Sequence, residues 1–559
     1  MRIGNASGFY GDRFSAWREM LEGGDLDVLT GDYLAELTML ILGRDRGKDP
    51  ALGYAKTFQR QLDGCLATAL DRGVTLVTNA GGVNPAGLAS AVRELAGRLG
   101  REVRVAFVDG DDVRTHAAVP RNALTANAYL GAFGIAECVR AGADVVVTGR
   151  VTDASLVIGP AIARFGWTRD DLDALAGATV AGHIIECGAQ ATGGNFPFFT
   201  ELPDRARRPG FPIAEIGADG SSVITKHPGT GGAVTVETVT AQLLYEVDGP
   251  AYLGPDVVTH LDSIRLDDAG PDRVRVSGVT GSPPPPTVKV GVTTLGGFRN
   301  SVTFVLCGLS IEDKADLIRE QLTGAVGKDG LEFRLARTDH ADPTDTESGS
   351  ALLHVHLKDA DAKRAGRAFS AAAVELALAS YPGCTMLGPP GDAAPYGVFE
   401  AVAVPQHDVA HTAVLADGTR VTVTPPLKTT PAPARTDTPQ PTIAPAEPTA
   451  PRPLGTVAGA RSGDKGADAN LGVWARDDAG YEWLHGFLTV ERLKALLPEA
   501  AVIPVRRYDL PNLRAVNFVL SGLLGAGGVA ASTRFDPQAK ALGELLRAKV
   551  VEIPVRLLP

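Results

Sequence analysis

The side chains of this sequence that are best suited to chemistry are concentrated in the segment AGHIIECGAQATGGNF, residues 181–196. Within ten positions the segment carries an imidazole, a carboxylate, a thiol, an amide and a hydroxyl: His183, Glu186, Cys187, Gln190 and Thr192. It then reaches Gly193-Gly194, where glycine permits backbone angles that other residues avoid. A helical turn followed by a glycine bend would direct several of these groups into one space. We therefore predict a catalytic segment here, against the alternative of a helix end with a glycine cap and no chemistry.

Two loops that come earlier in the sequence carry polar residues that we expect to lie close to this segment in the fold. The loop NAGGVNP at 79–85 has two glycines that let the backbone approach a ligand, and Asn84 can cap the following helix. Free N–H groups in such a loop would hold a phosphate or a carboxylate. The loop GRVTDAS at 149–155 places Arg150 and Asp153 three residues apart. Arginine offers a planar fork for an anion, and the aspartate would act as a base or hold the arginine.

Three further groups complete the candidate set. Asp32 and Glu36 are four residues apart, so on a helix they would share a face and split their pKa values. The loop KHPGTGG at 226–232 places a lysine beside a glycine-rich helix entry, and RSGDKG at 461–466 concentrates two cations and a hydroxyl. We predict that the second of these loops binds an anion or covers the site as a lid. The candidate binding residues are Asn79, Gly81, Gly82, Asn84, Arg150, Gln190, Thr192, Gly193, Gly194, Lys226, Gly231, Arg461, Asp464 and Lys465.

Composition narrows the class of function. The chain has 559 residues and a net charge of −11 without a lysine or arginine run, which argues against a nucleic-acid or membrane partner. Its five cysteines show no CxxC spacing, so we expect neither structural zinc nor disulfides, and a cytoplasmic location. The N-terminal glycines are spaced GxxxGxxG rather than GxGxxG, which disfavours a nicotinamide-dependent oxidoreductase.

The order of elements predicts an α/β fold. Over the first two hundred residues, short apolar runs alternate with amphipathic helices about five times, which is typical of a parallel, doubly wound sheet with its loops along one edge. We predict a Rossmann-like portion at 1–210 and a second α/β portion at 211–424. Within the first portion, residues 122–141 are predicted to form one helix.

The C-terminal part is predicted to be separate. Residues 425–453 are rich in Pro, Thr and Ala, which is typical of an extended, disordered linker. The alternation that follows at 454–559 predicts a ferredoxin-like α+β domain of about 100 residues.

Taken in order, several motifs resemble the acyclic terpene utilisation (AtuA) family over nearly the whole chain. They are NAGGVNP at 79–85, GRVTDAS at 149–155, GHIIECGAQATGG at 182–194, TKHPGTGGAV at 225–234, QLLYEV at 242–247 and RSGDKGADAN at 461–470. The resemblance implies an enzyme that processes a branched or unsaturated acyl thioester of coenzyme A or a carrier protein. It implies no catalytic residue by itself and no further cofactor.

Three functions are compatible with that resemblance. In a hydratase or dehydratase, Glu186 would be the base, near Asp153, with N–H groups of Gly193 and Gly194 polarising the carbonyl and a CoA diphosphate on loop 79–82 or 229–232. In a thioesterase or acyl transferase, Cys187 would be the nucleophile and His183 its base. A non-catalytic, acyl-binding assembly subunit is the third. Oxygen ligands at Asp32, Asp153 and Glu186 would suit Mg²⁺, and we expect a homo-oligomer with a small-molecule acyl substrate.

Overall fold

A large mixed sheet organises the N-terminal part of the chain. The structure is a computed structural model that describes residues 1–433 and 447–559. These residues form two units, one made of residues 1–293 and 399–559 and the other of residues 294–398. Among the described residues of the first unit, the large sheet has eleven strands. From edge to edge they are Arg265–Asp268, Val274–Ser277, Ser222–Lys226, Pro212–Ile216, Arg2–Asn5, Val28–Gly31, Thr75–Thr78, Val145–Thr148, Val105–Asp109, Thr412–Val414 and Arg420–Thr422.

The centre of the sheet is parallel, as the alternation of strands and helices predicts. Each of the strands Arg2–Asn5, Val28–Gly31, Thr75–Thr78, Val145–Thr148 and Val105–Asp109 runs parallel to its central neighbours. Val146 packs into the apolar cluster on one face, whereas Val145 and Val147 pack into the cluster on the other. Both faces are therefore buried, which explains why these strands are apolar throughout. Parallel strands bring the loops that follow them to the same edge of the sheet.

Helices cover the two faces of this sheet. In chain order they are Ala16–Gly23, Glu36–Lys48, Lys56–Asp63, Leu66–Asp71, Pro85–Arg98, Phe133–Arg140, Ser155–Phe165, Leu172–Ile185 and Val236–Leu243. Leu172–Ile185 is the helix that leads into the predicted catalytic segment, and its residues from Leu175 to Ile185 are all buried.

The strands that follow the predicted boundary at residue 210 extend the first sheet. Pro212–Ile216 pairs antiparallel with Arg2–Asn5, and Ser222–Lys226 pairs with Pro212–Ile216. The second portion is thus continuous with the first, and the second unit begins only at residue 294.

The prediction of one helix over residues 122–141 is wrong in its first half. Thr125–Ala128 is a strand that pairs antiparallel with residues 290–293 of the long strand Thr287–Cys307, and the helix is Phe133–Arg140. The small residues of TANA fit a helix and a buried strand equally well, so the pairing partner decides the conformation.

The second unit is an antiparallel sheet with helices on it. Its strands are Leu331–Ala336, Ser350–Asp359, Thr385–Met386 and the later part of Thr287–Cys307, and its helices are Ile311–Val326 and Phe369–Glu375. The strand Ala394–Pro405 also pairs with Thr287–Cys307. The buried residues Ile311, Ala315, Ile318 and Leu322 lie at helical spacing and form a core with Leu353 and Val355.

The C-terminal domain is a four-stranded antiparallel sheet with helices, the ferredoxin-like architecture that the sequence predicts. Its strands lie in the order Ala458–Lys465, Asp468–Ala475, Ala515–Leu520 and Val505–Leu510. The helices are Asp478–Phe487, Val490–Leu496, Gly528–Ala531 and Leu542–Arg547. Residues 449–453, which were expected in the linker, instead form a strand that pairs antiparallel with Val550–Pro554. Linker residues 434–446 lie outside the described residues.

The C-terminal domain contacts the N-terminal part through arginines placed around one phenylalanine. The guanidinium groups of Arg476 and Arg547 lie 4.8 and 4.7 Å from the ring centroid of Phe198. Arg476 also pairs with Glu201 and Glu237, and Arg547 donates a 3.0 Å hydrogen bond to the carbonyl of Pro197. The aromatic ring therefore anchors the domain by packing and by cation–π attraction.

Replacing Phe198 by Ala is expected to loosen this contact. The ring is 6% exposed, so its loss leaves a cavity and removes two cation–π partners. We expect the free energy of unfolding to fall by about 3 kcal/mol, with faster hydrogen exchange at the facing surfaces of both parts. The neighbouring Phe199 is 51% exposed, so Phe199→Ala is the matched control and should change little. Equal effects of the two variants would contradict the anchoring role.

Candidate functional site

Polar side chains follow the parallel strands at the carboxyl edge of the sheet. Asn5, Asp32, Asn79 and Arg150 each end a strand or come just after it, and all are buried. Asn79 donates a 2.5 Å hydrogen bond from Nδ2 to Asp32 Oδ1, and the Arg150 guanidinium donates to the carbonyl of Leu34 at 2.9 Å. The parallel topology thus collects polar groups from several parts of the sequence in one place.

The helix Leu172–Ile185 ends against the loop that follows the first strand. Asn5 Nδ2 donates hydrogen bonds of 2.7 and 2.9 Å to the carbonyls of Ile185 and Glu186. At Gly8, a Cβ would lie 2.6 Å from the carbonyl carbon of Cys187, so only glycine allows this approach. The segment that carries the predicted catalytic residues is therefore held rigidly on the sheet edge.

His183 and Glu186 form a buried pair at the end of this helix. Nδ1 of His183 lies 3.0 Å from Oε1 of Glu186, and the two residues are 3% and 8% exposed. Among the described residues, Nε2 of His183 and Oε2 of Glu186 have no hydrogen-bond partner. The Leu243 carbonyl faces the imidazole without a hydrogen bond of standard geometry. Two buried polar atoms of one pair thus lack a hydrogen-bond partner of standard geometry, which is uncommon in a protein interior.

Burial favours the uncharged form of both members of the pair. Burial, followed by the charges of Asp153 and Glu246, raises the pKa of Glu186 well above its usual range. Burial, followed by the nearby ammonium of Lys465, lowers the pKa of His183 to about 4. The imidazole is therefore neutral at neutral pH, and its carboxyl partner holds a proton more strongly than an exposed glutamate does.

Three further carboxyl groups of the site have raised pKa values. Burial and then the charge of Asp153 raise the pKa of Asp32 well above its usual range, although Arg150 opposes this. Burial raises the pKa of Glu246 despite the opposing charge of Lys465. Burial, then Glu246, raises the pKa of Asp464 to about 8. The site therefore holds several carboxyl groups that retain a proton where an exposed carboxyl would lose it.

The C-terminal domain supplies one side of the site through the hairpin of Ala458–Lys465 and Asp468–Ala475. The ammonium of Lys465 donates to the carbonyl of Glu246 at 2.8 Å, and Asn470 Oδ1 accepts from the Glu246 N–H at 2.8 Å. Glu246 has a φ of 58°, a left-handed conformation that non-glycine residues adopt rarely. The C-terminal hairpin thus holds Glu246 in place through its backbone, as well as bringing Asp464 and Lys465 to the site.

Another wall consists of cations and aromatic rings. Arg150 pairs with Asp153 at 3.1 Å and lies 4.1 Å from the ring centroid of Tyr129. The ammonium of Lys289 lies 4.6 Å from the same centroid and 5.6 Å from that of Phe399. Burial alone would lower the pKa of Lys289, but the charges of Tyr129 and Glu36 more than offset it, so the pKa is raised.

The glycine loop at 79–85 does not offer the expected anion cradle. The Gly82 N–H donates to the carbonyl of Asn79, and the Asn84 N–H donates to that of Gly81. A Cβ at Gly81 would lie 2.4 Å from the Thr148 carbonyl oxygen, so this glycine serves close packing. Asn84 caps the next helix by accepting from the Gly87 N–H at 3.0 Å. Asn79 is the residue of this loop that belongs to the site, through Asp32.

The predicted donors at Gly193 and Gly194 are also occupied. The Gly193 N–H donates to the carbonyl of Gln190, and the Gly194 N–H donates to that of Ala189. Thr192 donates to the carbonyls of Ala189 and Gly210, and Gln190 accepts from Arg461. These residues fix the turn and the domain contact, so the expected oxyanion donors are corrected to structural roles.

The loop at 226–232 also satisfies its own polar groups. The Lys226 ammonium donates to the Thr230 carbonyl at 2.7 Å and pairs with Asp272 at 2.9 Å. A Cβ at Gly231 would lie 2.5 Å from the Arg208 carbonyl oxygen, and the adjacent Gly232 N–H faces the Asp204 carboxylate. A carboxylate at this position disfavours an anion, so the loop is corrected to a structural turn.

The environment of Cys187 does not activate its thiol. Burial, then the charges of Glu186 and Glu246, raises the pKa of Cys187 well above its usual range. A nucleophilic thiol needs a lowered pKa, and His183 contacts Glu186 rather than the thiol. Within residues 1–433 and 447–559, no group of three His, Cys, Asp or Glu side chains is placed to hold a metal ion.

Sequence reasoning missed Glu246, Tyr252, Tyr129 and Lys289. Glu246 lies in the QLLYEV motif, whose carboxylate was the available signal. The ring of Tyr252 lies 5.3 Å from that of His183 by their centroids. Lys289 lies in a strand of alternating pattern, where a charged residue ordinarily marks the solvent face, so the pattern held no signal for it.

Replacing Asp464 by Asn is expected to change how stability depends on pH. The folded protein retains the Asp464 proton up to a pKa of about 8, whereas the unfolded chain loses it near the ordinary value of 3.8. Raising the pH through this window therefore destabilises the wild-type fold. Near the lower end of this pH window, we expect Asp464→Asn and the wild type to have the same free energy of unfolding. Toward the upper end, we expect the value for Asp464→Asn to be higher by roughly 1–5 kcal/mol.

Denaturant unfolding measured across this pH range would test the prediction. The exposed Asp267 is the control, because Asp267→Asn removes a carboxyl that is not buried. An Asp464→Asn profile that runs parallel to the wild-type profile would contradict the buried, protonated state.

The chain matches two family models. Residues 1–415 match the acyclic terpene utilisation family protein AtuA, and residues 452–552 match the AtuA ferredoxin-like domain. The comparison with curated proteins gives no match. Among the described residues, no helix has both the length and the apolar character to cross a membrane. The first match covers most of the chain, and the second coincides with the C-terminal sheet, so this chain belongs to the acyclic terpene utilisation (AtuA) family.

Proposed function

We propose that the protein adds water to, or removes water from, a double bond in a branched or unsaturated acyl thioester. The observation that carries the proposal is the neutral His183–Glu186 pair. Its two outer atoms, Nε2 of His183 and Oε2 of Glu186, are buried and have no hydrogen-bond partner among the described residues. Hydration and dehydration need one group that takes a proton from carbon or water and another that gives a proton. One pair supplies both groups without a net change of charge.

The two protons of the neutral pair have two arrangements. In one, Nδ1–H of His183 donates to Oε1 of Glu186, Oε2 carries a proton and Nε2 has a free lone pair. In the other, Oε1–H donates to Nδ1, Nε2 carries a proton and Oε2 is the acceptor. In each arrangement one outer atom is an acid and the other is a base.

In dehydration, the protons taken up and released by the substrate balance within the pair. Nε2 takes the proton from the carbon next to the thioester carbonyl, Nδ1 passes its proton to Oε1, and Oε2 gives its proton to the departing hydroxyl. The C–H and C–O bonds break, a C=C bond forms and water leaves, with the pair in its second arrangement. Hydration is the reverse, and exchange of protons with water resets the pair.

Other groups of the site support charge development on the substrate. The buried carboxyls of Asp32 and Glu246 have raised pKa values, so each is more readily protonated, and able to donate to oxygen, than an exposed carboxyl. The hydroxyl of Tyr252, whose pKa burial raises well above its usual range, also remains protonated. The proposal concerns the acyl part of the thioester, because the two glycine loops expected to bind a diphosphate satisfy their own polar groups.

Replacing Glu186 by Gln should abolish the reaction while retaining binding. Glutamine has the shape of the protonated carboxyl but cannot pass a proton between Oε1 and Oε2. The assay is mass spectrometry of branched enoyl-CoA and 3-hydroxyacyl-CoA substrates, following the gain or loss of one water and the incorporation of ¹⁸O from labelled water. We expect turnover to fall by at least about a hundredfold in Glu186→Gln.

Glu94→Gln, which changes an exposed glutamate of the helix Pro85–Arg98, is the matched control and should retain activity. Binding without turnover in the wild type would instead favour an acyl-binding assembly subunit. Turnover by Glu186→Gln at the wild-type rate would remove the pair from the chemistry.

Removing the charge of Lys465 should shift the pH dependence of turnover. Lys465 lowers the pKa values of both His183 and Glu186, so Lys465→Met raises both. The pair is active between protonation of His183 at low pH and ionisation of Glu186 at high pH. Both limbs of the kcat/KM profile should therefore move to higher pH in Lys465→Met. Lys494→Met, on another part of the same domain, is the control, and an unmoved profile in Lys465→Met would contradict the electrostatic role.

A further inference from the structure

Lys289 is a cation of the site without a charged partner. Among the described residues, its ammonium forms no hydrogen bond and no ion pair, and its contacts are the two ring faces of Tyr129 and Phe399. Arg150, over the same Tyr129 ring, is by contrast paired with Asp153. Glu36 and Asp153 influence Lys289 electrostatically from beyond ion-pair distance. Lys289 therefore has hydrogen-bond donors for which the described residues provide no acceptor, and its charge is met only by aromatic rings.

Side chains alternate between the two faces of the strand Thr287–Cys307, and this alternation places Lys289 on the face that belongs to the site. Val288 and Val290 are buried in the core, whereas the side chain of Lys289 between them is accessible on the opposite face, among protein atoms that partly withdraw it from bulk water. Tyr129 lies beside it, because the Tyr129 N–H donates to the Lys289 carbonyl at 2.9 Å. At Gly291, on the same face as Lys289, a Cβ would lie 3.0 Å from the Phe399 ring and 3.3 Å from the Tyr129 ring. The missing side chain at 291 lets both rings lie over the strand around the ammonium.

We propose that Lys289 binds a carboxylate carried by the acyl chain of the substrate, whose apolar segment packs against Tyr129 and Phe399. This inference rests on the proposed function, and it names the substrate class as an acyl group with a second, anionic end. A single ammonium with unsatisfied donors matches a singly charged carboxylate. A diphosphate would need several cations or free backbone N–H groups, whereas the neighbouring Arg150 is already paired. The aromatic faces give the chain an apolar surface next to the charge.

The test compares the C1 methyl esters of trans-glutaconate and trans-2-pentenoate, called glutaconate and 2-pentenoate below. The ester takes the place of the thioester, so the two probes differ only in having a carboxylate or a methyl group at the far end. Binding to the full-length protein is measured by isothermal titration calorimetry. We expect the wild type to bind glutaconate about tenfold more tightly than 2-pentenoate, from one charge-assisted contact. Lys289→Met keeps the apolar stem but should lose this preference, and Lys289→Arg should retain it.

Lys314→Met is the control, because Lys314 also lies near a tyrosine ring, that of Tyr381, but belongs to the second unit. Thermal unfolding of each variant verifies the fold. A glutaconate preference that survives in Lys289→Met, or its absence in the wild type, overturns the proposal. Binding of coenzyme A that weakens in Lys289→Met without any glutaconate preference also overturns it, by assigning the lysine to a phosphate.

These outcomes are distinguishable from failure of the proposed function. Water addition that depends on Glu186 but shows no dependence on Lys289 would leave the acid–base chemistry standing and remove the carboxylate subsite. A glutaconate preference that depends on Lys289, with no water addition to any thioester, would leave the subsite and remove the hydratase.

Discussion

Burial of acidic groups is the constraint on which the arrangement of this protein depends. A carboxylate that loses its water is unstable unless it gains a proton, a cation or hydrogen-bond donors. Asp153 is paired with the cation of Arg150, and Asp32 receives a hydrogen bond from Asn79 while burial raises its pKa. Glu186 has only the imidazole of His183 at one oxygen. The outer oxygen of Glu186, Oε2, is thus left without a hydrogen-bond partner among the described residues.

The rigid backbone around the pair follows from the same constraint. A buried pair is useful for proton transfer only if it cannot relax toward water or toward other partners. Asn5 provides this rigidity by binding two carbonyls at the end of the helix Leu172–Ile185, and Gly8 lets the first loop approach closely. Because the helix end, the strand ends and the N-terminal loop are separate in sequence, only the parallel sheet brings them together.

Sequence reasoning found the polar residues that gather around the parallel sheet edge better than it found their partners. His183, Glu186, Arg150 and Asp153 lie in short motifs of unusual composition, so residue types alone mark them. Lys289 escaped notice because an alternating strand predicts an exposed lysine without a special role, and Tyr129 because it was placed in a supposed helix. The predicted anion loops share one physical reason for their correction. Glycine-rich turns have many N–H groups, but at 79–85 and 193–194 the turns consume those groups internally, and sequence cannot reveal which carbonyls will be near.

The C-terminal domain is best understood as part of the site rather than as an addition to it. Glu246 holds a left-handed backbone conformation while its N–H and carbonyl both bind the C-terminal hairpin, through Asn470 and Lys465. Without that hairpin, the backbone of Glu246 would lose both contacts, and the carboxyl cluster would lose the cation that lowers the pKa of Glu186 and His183. The domain therefore influences both the position of Glu246 and the pKa values of the His183–Glu186 pair. The carboxyl cluster therefore depends on the small domain for its contacts, even though Asp32, Asp153, Glu186 and Glu246 all belong to the large part.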